Sequence, residues 1–212
     1  ALLFYILEKL SYYDQYVKSG EYARGSCFSH FGKSFCELQD KTWGIIGLGA
    51  IGRRVAQLAE AFGCKVLCYS ASGHKYDSRY EQTDFDTLLA KSDFISVHAP
   101  LNAYTENLFT LDAFKKMKNT AIFINVARGA LVNEQDLYTA LTTDEIAGAA
   151  LDVLCREPMD PENPLLKIQD STRLLITPHI AWAAKETRFR VVEEVVQNIR
   201  RFQRGDTVNR VY

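Results

Sequence analysis

The chain has 212 residues, 47% of them hydrophobic and 24% charged, a composition ordinary for a folded domain with a substantial core. A formal net charge of −1 leaves no basic field for nucleic acid or an anionic membrane surface. No apolar run reaches the length of a bilayer span, so neither a nucleic-acid nor a membrane partner is expected.

Read in chain order, Ala1 to Tyr16 predicts a helix, with Leu3, Ile6, Leu7, Leu10 and Val17 on one face. No capping residue precedes it, and Glu8 and Lys9 interrupt the apolar run too early for a signal peptide. Either the chain starts here after loss of a methionine, or it starts inside an element whose upstream part is absent. A polar connection follows from Ser19 to Asp40.

Strands are then predicted at Thr42–Ile46, Lys65–Tyr69, Phe94–His98, Ala121–Asn125, Ile146–Leu151 and Leu174–Thr177. Between them lie helical patterns at Ile51–Phe62, Phe85–Ala90, Leu111–Met117 and Glu134–Leu141, and a last helix runs from about Lys185 to Arg204. Short apolar strands alternating with helices predict an α/β fold of Rossmann type, a doubly wound parallel sheet covered on both faces. Val192, Val195, Val196, Ile199 and Phe202 share one face of the last helix, opposite Glu193, Glu194, Arg200 and Arg201.

The five cysteines are odd in number and lack metal-ligand pair spacing. They predict a reducing, cytoplasmic setting without a disulfide framework or bound metal, with Cys64 and Cys68 as packed thiols on one strand face.

The first strand runs straight into Gly47-x-Gly49-x-x-Gly52. Gly47 permits a tight turn, Gly49 lets backbone approach a pyrophosphate, and Gly52 lets the following helix pack on the strand. The helix start offers free N–H groups and a positive dipole end, so a dinucleotide site outweighs a plain structural turn.

Three later segments also leave strand ends: Asn125-Val-Ala-Arg128-Gly129, then Leu151-Asp152-Val153 with Glu157-Pro158, then Thr177-Pro178-His179-Ile-Ala-Trp182. All should emerge at the carboxyl edge of the sheet, where open α/β folds bind ligands. Val97-His-Ala-Pro-Leu101 with Thr105, and Ile124-Asn-Val-Ala-Arg-Gly-Ala-Leu-Val-Asn133, resemble signatures of the D-isomer-specific 2-hydroxyacid dehydrogenase family. The Ala-Trp after His179 is most similar to the glycerate dehydrogenase/hydroxypyruvate reductase branch. The resemblance extends over about residues 1 to 209.

That resemblance implies an NAD(P)-dependent oxidoreductase acting on a small 2-hydroxyacid or 2-oxoacid such as hydroxypyruvate or glyoxylate. Such a reduction needs a hydride, a proton for the nascent alkoxide and a cation for the carboxylate. His179 is the implied acid/base, Glu157 its hydrogen-bonding partner, and Arg128 the clamp on the substrate carboxylate or carbonyl. Trp182 either lines the substrate side or packs as a core aromatic. The family pattern brings the backbone of Ala50 and Ile51 to the pyrophosphate and sets Pro100 and Thr105 along the cleft. Val126 and Ala127 then lie near the nicotinamide, with Asp152 accepting from its carboxamide. Singly, an Arg after a strand reads as a surface ion pair, a Glu-Pro as a turn, and a Pro-His as a packed loop. Together, in this order, they favour catalysis. His98 reads as a strand-end residue lining the cleft rather than a proton donor.

Two features depart from the family. Where an NAD-selective site has Asp or Glu after its second strand, this chain has Tyr69-Ser70-Ala71, which predicts NAD with relaxed selectivity and NADP as the alternative. The family's first lobe, on the order of 100 residues, precedes the point where this chain starts. Residues 1–212 are therefore expected to form one NAD(P)-binding domain, with 1–40 and 185–212 as the parts that would contact that lobe. Apolar surface left on those parts predicts a homodimer. The competing reading is an NAD(H)-sensing binding module of the corepressor type. Tyr5-x-x-x-Lys9 mimics the catalytic pair of short-chain dehydrogenases, but it precedes the glycine motif instead of following it.

Overall fold

The computed structural model describes residues 1–75 and 79–209. Two compact units emerge, one ending at Thr177 and one beginning at Pro178. In the first, strands β1 (Thr42–Ile46), β2 (Lys65–Tyr69), β3 (Glu81–Gln82), β4 (Phe94–Val97), β5 (Ile122–Asn125), β6 (Gly148–Leu151) and β7 (Leu174–Ile176) form one sheet in the order 3-2-1-4-5-6-7. Every pairing is parallel. The predicted doubly wound architecture is what the chain adopts.

Both faces of this sheet are covered, so its central strands are largely apolar, and alternate residues serve opposite layers. On one face, helices α5 (Phe85–Lys91), α6 (Leu111–Lys115) and α7 (Glu134–Thr142) bury Leu88, Leu89, Phe114, Leu137 and Leu141 with Ile95, Val97, Phe123 and Ala149. On the other, Leu3, Ile6 and Leu7 of α1 (Leu2–Leu7) pack with Phe94, Ile122, Ile124 and Ala150. Ala56 of α4 (Ala50–Ala61) joins Ile45, Leu48 and Cys68 on that same side. Cys64 and Cys68 are buried free thiols, and burial raises both above the ordinary range, Cys64 to about 11.

The opening helix does not run from Ala1 to Tyr16 as expected. It breaks after α1, and α2 (Leu10–Lys18) and α3 (Glu21–Arg24) follow as separate pieces. The break is made by Lys9, which adopts a left-handed backbone (φ 54°) while its ammonium donates to the Thr172 carbonyl at 3.0 Å. Leu3, Ile6 and Leu7 go into the core, whereas Leu10 and Val17 stay exposed. Tyr5 and Lys9, the mimicked pair, belong to this structural arrangement. Strand β3 is not among the predicted strands, because two polar residues carry no periodicity.

Local capping matches the sequence. Asn133 precedes α7, and its Oδ1 accepts from the Asp136 N–H at 3.1 Å. Asn133→Ala is expected to cost about 1 kcal/mol, read as a lower urea midpoint with an unchanged slope.

The second unit contains α8 (Lys185–Gln203), which buries no residue. Val192, Val195, Val196, Ile199 and Phe202 are all exposed, as the amphipathic pattern implied for an uncovered face. Residues 210–212 of the expected closing segment lie outside the described residues. Among the described residues no helix is long and apolar enough to cross a membrane.

Candidate functional site

The sheet reverses its winding between β1 and β4, and in such folds the crevice beyond the strand ends at that point is the ligand site. The glycine loop occupies it. Gly47 has φ 90°, and a Cβ there would stand 2.8 Å from the Ala99 backbone, so the loops after β1 and β4 touch main chain to main chain. A Cβ on Gly52 would meet the Gly47 carbonyl oxygen at 2.2 Å, which fixes the start of α4 against the turn. Gly49 differs from both: a Cβ there would meet nothing within 4 Å. The space above it is open.

Gly49 is also the N-cap of α4, without a side-chain cap. The helical ladder begins with the Arg53 N–H donating to the Gly49 carbonyl at 2.9 Å, so the amides of Ala50, Ile51 and Gly52 precede it. Ile51 is exposed beside them. Open space, three leading amides and the positive end of a 12-residue helix suit an anionic pyrophosphate. A dinucleotide therefore fits the residues present.

Along the rest of the edge, Ser70 follows β2 and is buried, its hydroxyl 3.3 Å from that of Ser72. Tyr69-Ser70-Ala71-Ser72-Gly73 contains no carboxylate to grip ribose hydroxyls and none to repel a 2′-phosphate. Pro100 is exposed, while the buried Thr105 folds the loop beside it. The Thr105 hydroxyl donates to the Pro100 carbonyl at 2.7 Å and accepts from the Asn102 N–H at 2.9 Å.

His98 sits at the switch point, where Ser96 links it to the first strand. The Ser96 hydroxyl accepts from Trp43 Nε1 at 2.9 Å and lies 3.0 Å from His98 Nε2. The Ser96 hydroxyl thus stands between the Trp43 indole N–H and His98 Nε2, while His98 Nδ1 is buried without a hydrogen-bond partner among the described residues. Burial pushes the imidazole down to about 4, so His98 is neutral at pH 7 and poorly suited to donate a proton.

Stability should depend on pH accordingly. A histidine with a depressed folded pKa takes up a proton on unfolding, so its stabilising share is complete above about 6.5 and lost as pH falls towards 4. Urea midpoints of the wild-type chain should fall across that window more steeply than those of His98→Gln. Equal slopes would refute the assignment.

The loop after β5 is shaped by Asn125, a residue to which the sequence motif assigns no role. Buried Asn125 accepts from the Ala127 N–H at 3.0 Å through Oδ1 and donates to the Arg128 carbonyl at 2.9 Å through Nδ2. Val126 and Ala127 are partly buried, and Arg128 projects as an exposed side chain. One guanidinium nitrogen, Nη1, donates to the Ala127 carbonyl at 2.7 Å. No carboxylate pairs with Arg128 among the described residues.

Next to it, the segment after β6 carries Asp152 and Glu157. Asp152 is buried, its N–H donates to the Asn125 carbonyl at 2.9 Å, and Oδ1 accepts from the Thr177 hydroxyl at 2.5 Å. Glu157 Oε1 accepts from the Leu154 N–H at 2.9 Å. Glu134, at the first position of α7, braces the same segment from below. Its two carboxylate oxygens accept from the Cys155 N–H and from Asn163 Nδ2, each at 2.7 Å. Glu134 escapes sequence reasoning because its partners lie 21 and 29 residues away, a distance at which no local pattern speaks.

Arg128 and Glu157 therefore leave adjacent strands at the same edge as the glycine loop. His179 and Trp182 open the second unit. His179 is exposed and adopts φ 54°, a left-handed backbone uncommon for a residue with a side chain and concentrated at functional positions. Trp182 is half exposed, which removes the core-aromatic reading.

Comparison with known proteins gives a family model, described as D-isomer specific 2-hydroxyacid dehydrogenase, NAD binding domain, that matches residues 1–181. A hydroxypyruvate reductase from Blautia hydrogenotrophica is 38% identical over 99% of this chain, which spans 65% of that relative's own length. A solved acyclic imino acid reductase in complex with NADPH and D-Arg superposes with a TM-score of 0.87 at 33% identity, covering 100% of this chain and 65% of that one. D-lactate dehydrogenase from Aquifex aeolicus, complexed with NAD and lactic acid, gives 0.86 at 30% identity over 97% of this chain and 64% of its own.

Proposed function

The chain belongs to the D-isomer-specific 2-hydroxyacid dehydrogenase family and carries its NAD-binding domain, and from that premise we propose that it serves the reduction of a small 2-oxoacid of the hydroxypyruvate or glyoxylate kind. The observation that carries the reading is an arginine without a carboxylate partner among the described residues, on the same strand edge as an open glycine loop. When bound, the nicotinamide supplies the hydride.

The chain's own residues do the rest. The guanidinium of Arg128 binds the substrate carboxylate as a planar fork. His179 gives a proton to the developing alkoxide, and Glu157 holds and stabilises the imidazolium. Amides of Ala50 and Ile51, with Gly47, Gly49 and Gly52, seat the pyrophosphate. Ser70, Pro100, Thr105, Val126 and Ala127 line the dinucleotide's path, and Asp152 accepts from the carboxamide. Trp182 borders the substrate. Exposed apolar residues within 1–40 and, separately, within 185–209 suit contact with a substrate lobe and with a second copy in a cytoplasmic dimer.

The relatives and solved structures named above bear enzyme names, which supports this reading over a sensing module. Their two bound cofactors, NADPH in one and NAD in the other, agree with a neutral Ser70. The deciding experiment is oxidation of NADH and of NADPH by the purified chain with hydroxypyruvate, alongside binding of both cofactors. Comparable affinities and turnover are expected. A strong preference for either cofactor would overturn the role of Ser70. Cofactor binding without turnover would restrict the proposal to the cofactor-binding half of the reaction.

A further inference from the structure

The carboxylate of Glu134 joins both ends of one loop. Oε1 accepts from the Cys155 N–H and Oε2 from Asn163 Nδ2, each at 2.7 Å. Between those two donors run residues 156–162, which contain Glu157. Residues 155–158 are exposed, so burial does little to hold that stretch in place. Its far end is firm. Asn163 is buried, and its Oδ1 accepts from the Leu165 N–H at 3.0 Å. At the near end the Cys155 thiol donates to the Val132 carbonyl at 3.4 Å. Burial first, then the charge of Glu134, push that thiol up to about 11, so it stays a neutral donor at pH 7.

The strap that carries Glu134 is anchored on its other side as well. The Phe109 N–H donates to the Leu131 carbonyl and the Asn133 N–H to the Phe109 carbonyl, each at 3.0 Å. Residues 129–134 therefore lie between the segment entering α6 and the loop of Glu157, and Arg128 immediately precedes them. No cation pairs with Glu134 among the described residues; its partners are neutral donors, and the positive end of α7 favours its charge. A carboxylate is required at this point because both oxygens accept. A glutamine offers one acceptor, and its amide nitrogen would face the Asn163 amide nitrogen, donor against donor.

We propose that Glu134 is a positioning residue for the reduction, a clasp that closes the loop of Glu157 and so fixes that carboxylate relative to Arg128. This role presupposes the acid/base pair proposed above, in which Glu157 stabilises the imidazolium. A displaced Glu157 gives that cation less support, so the proton donor loses its proton at lower pH.

The test is hydroxypyruvate reduction by the full chain across pH, with NADH affinity measured in parallel. Glu134→Gln should lower kcat about ten- to a hundredfold and move the alkaline limb of the profile to lower pH, while binding NADH like the wild type. Adding Asn163→Asp reverses the donor pattern: the new glutamine donates to the new aspartate, whose other oxygen still accepts from Leu165. This double variant should recover both kcat and the limb. A limb that stays in place in Glu134→Gln, or a loss that the double variant fails to recover, would overturn the proposal. Glu157→Gln tests the acid/base pair separately, since turnover at the wild-type rate would remove Glu157 from the chemistry, and this role with it, whatever Glu134→Gln does. Amide exchange needs no turnover. The Cys155 N–H should exchange at least about tenfold faster in Glu134→Ala, and an unchanged rate would overturn the clasp.

Discussion

Gly129→Ala is expected to lower stability and to disturb Arg128 and Glu157 together. A Cβ at position 129 would stand 1.9 Å from the carbonyl carbon of Leu154 and 2.3 Å from the Cys155 nitrogen. These are backbone atoms, so no flexible side chain can give way; the loops after β5 and β6 must separate. Overpacking of this kind costs about 1–3 kcal/mol, and about 2–4 °C of Tm per kcal/mol in a chain of this size. The Leu154 and Cys155 amides that hold Glu157 and Glu134 lie at the point of collision. Arg128 is the residue before it. A displacement near 1 Å can cost about a hundredfold in turnover.

Gly49→Ala supplies the contrast. Its φ is −76° and a Cβ there has open space, so the folded state tolerates alanine and Tm should hold or rise slightly. NADH affinity should nevertheless fall, because the added methyl occupies the space through which a pyrophosphate approaches the helix amides. Thermal melts and NADH titrations of the two variants separate the roles. A Gly129→Ala chain melting with the wild type would refute the backbone contact. A Gly49→Ala chain binding NADH normally would refute the cradle.

The same contrast separates what is legible in the sequence from what is not. The spacing of Gly47, Gly49 and Gly52 is local, so the amino-acid order alone marks the turn at Gly47 and the close packing at Gly52. The apolar strands are legible too, with Thr42–Ile46 and Lys65–Tyr69 matching to the residue. The last strand residues expected at His98 and Thr177 fall just beyond β4 and β7, where the chain turns into the site. Gly129 and Glu134 carry no comparable signal. Their function lies in contacts between segments: Gly129 on Leu154, and Glu134 on Cys155 and Asn163. The break at Lys9 is hidden for the same reason, since the Thr172 carbonyl that receives its ammonium is 163 residues away. Periodicity reports which face of a segment is buried, and is silent on which distant loop it meets.

His179→Ala is expected to lower kcat with hydroxypyruvate by about two to four orders of magnitude while leaving NADH affinity nearly unchanged, the signature of a lost general acid. The substitution alone is ambiguous, because His179 has φ 54° and alanine adopts that left-handed conformation less readily than histidine does. A misplaced loop and a missing imidazole would then look alike. His179→Asn resolves them. Asparagine accepts a left-handed backbone readily, yet its amide cannot deliver a proton at neutral pH. If the imidazole is the acid, both variants are equally inactive and the asparagine variant melts with the wild type. If asparagine restores turnover that alanine loses, the backbone geometry is what matters, and the proton must come from another group. His98 is a poor candidate for that group, since burial holds it neutral down to about pH 4.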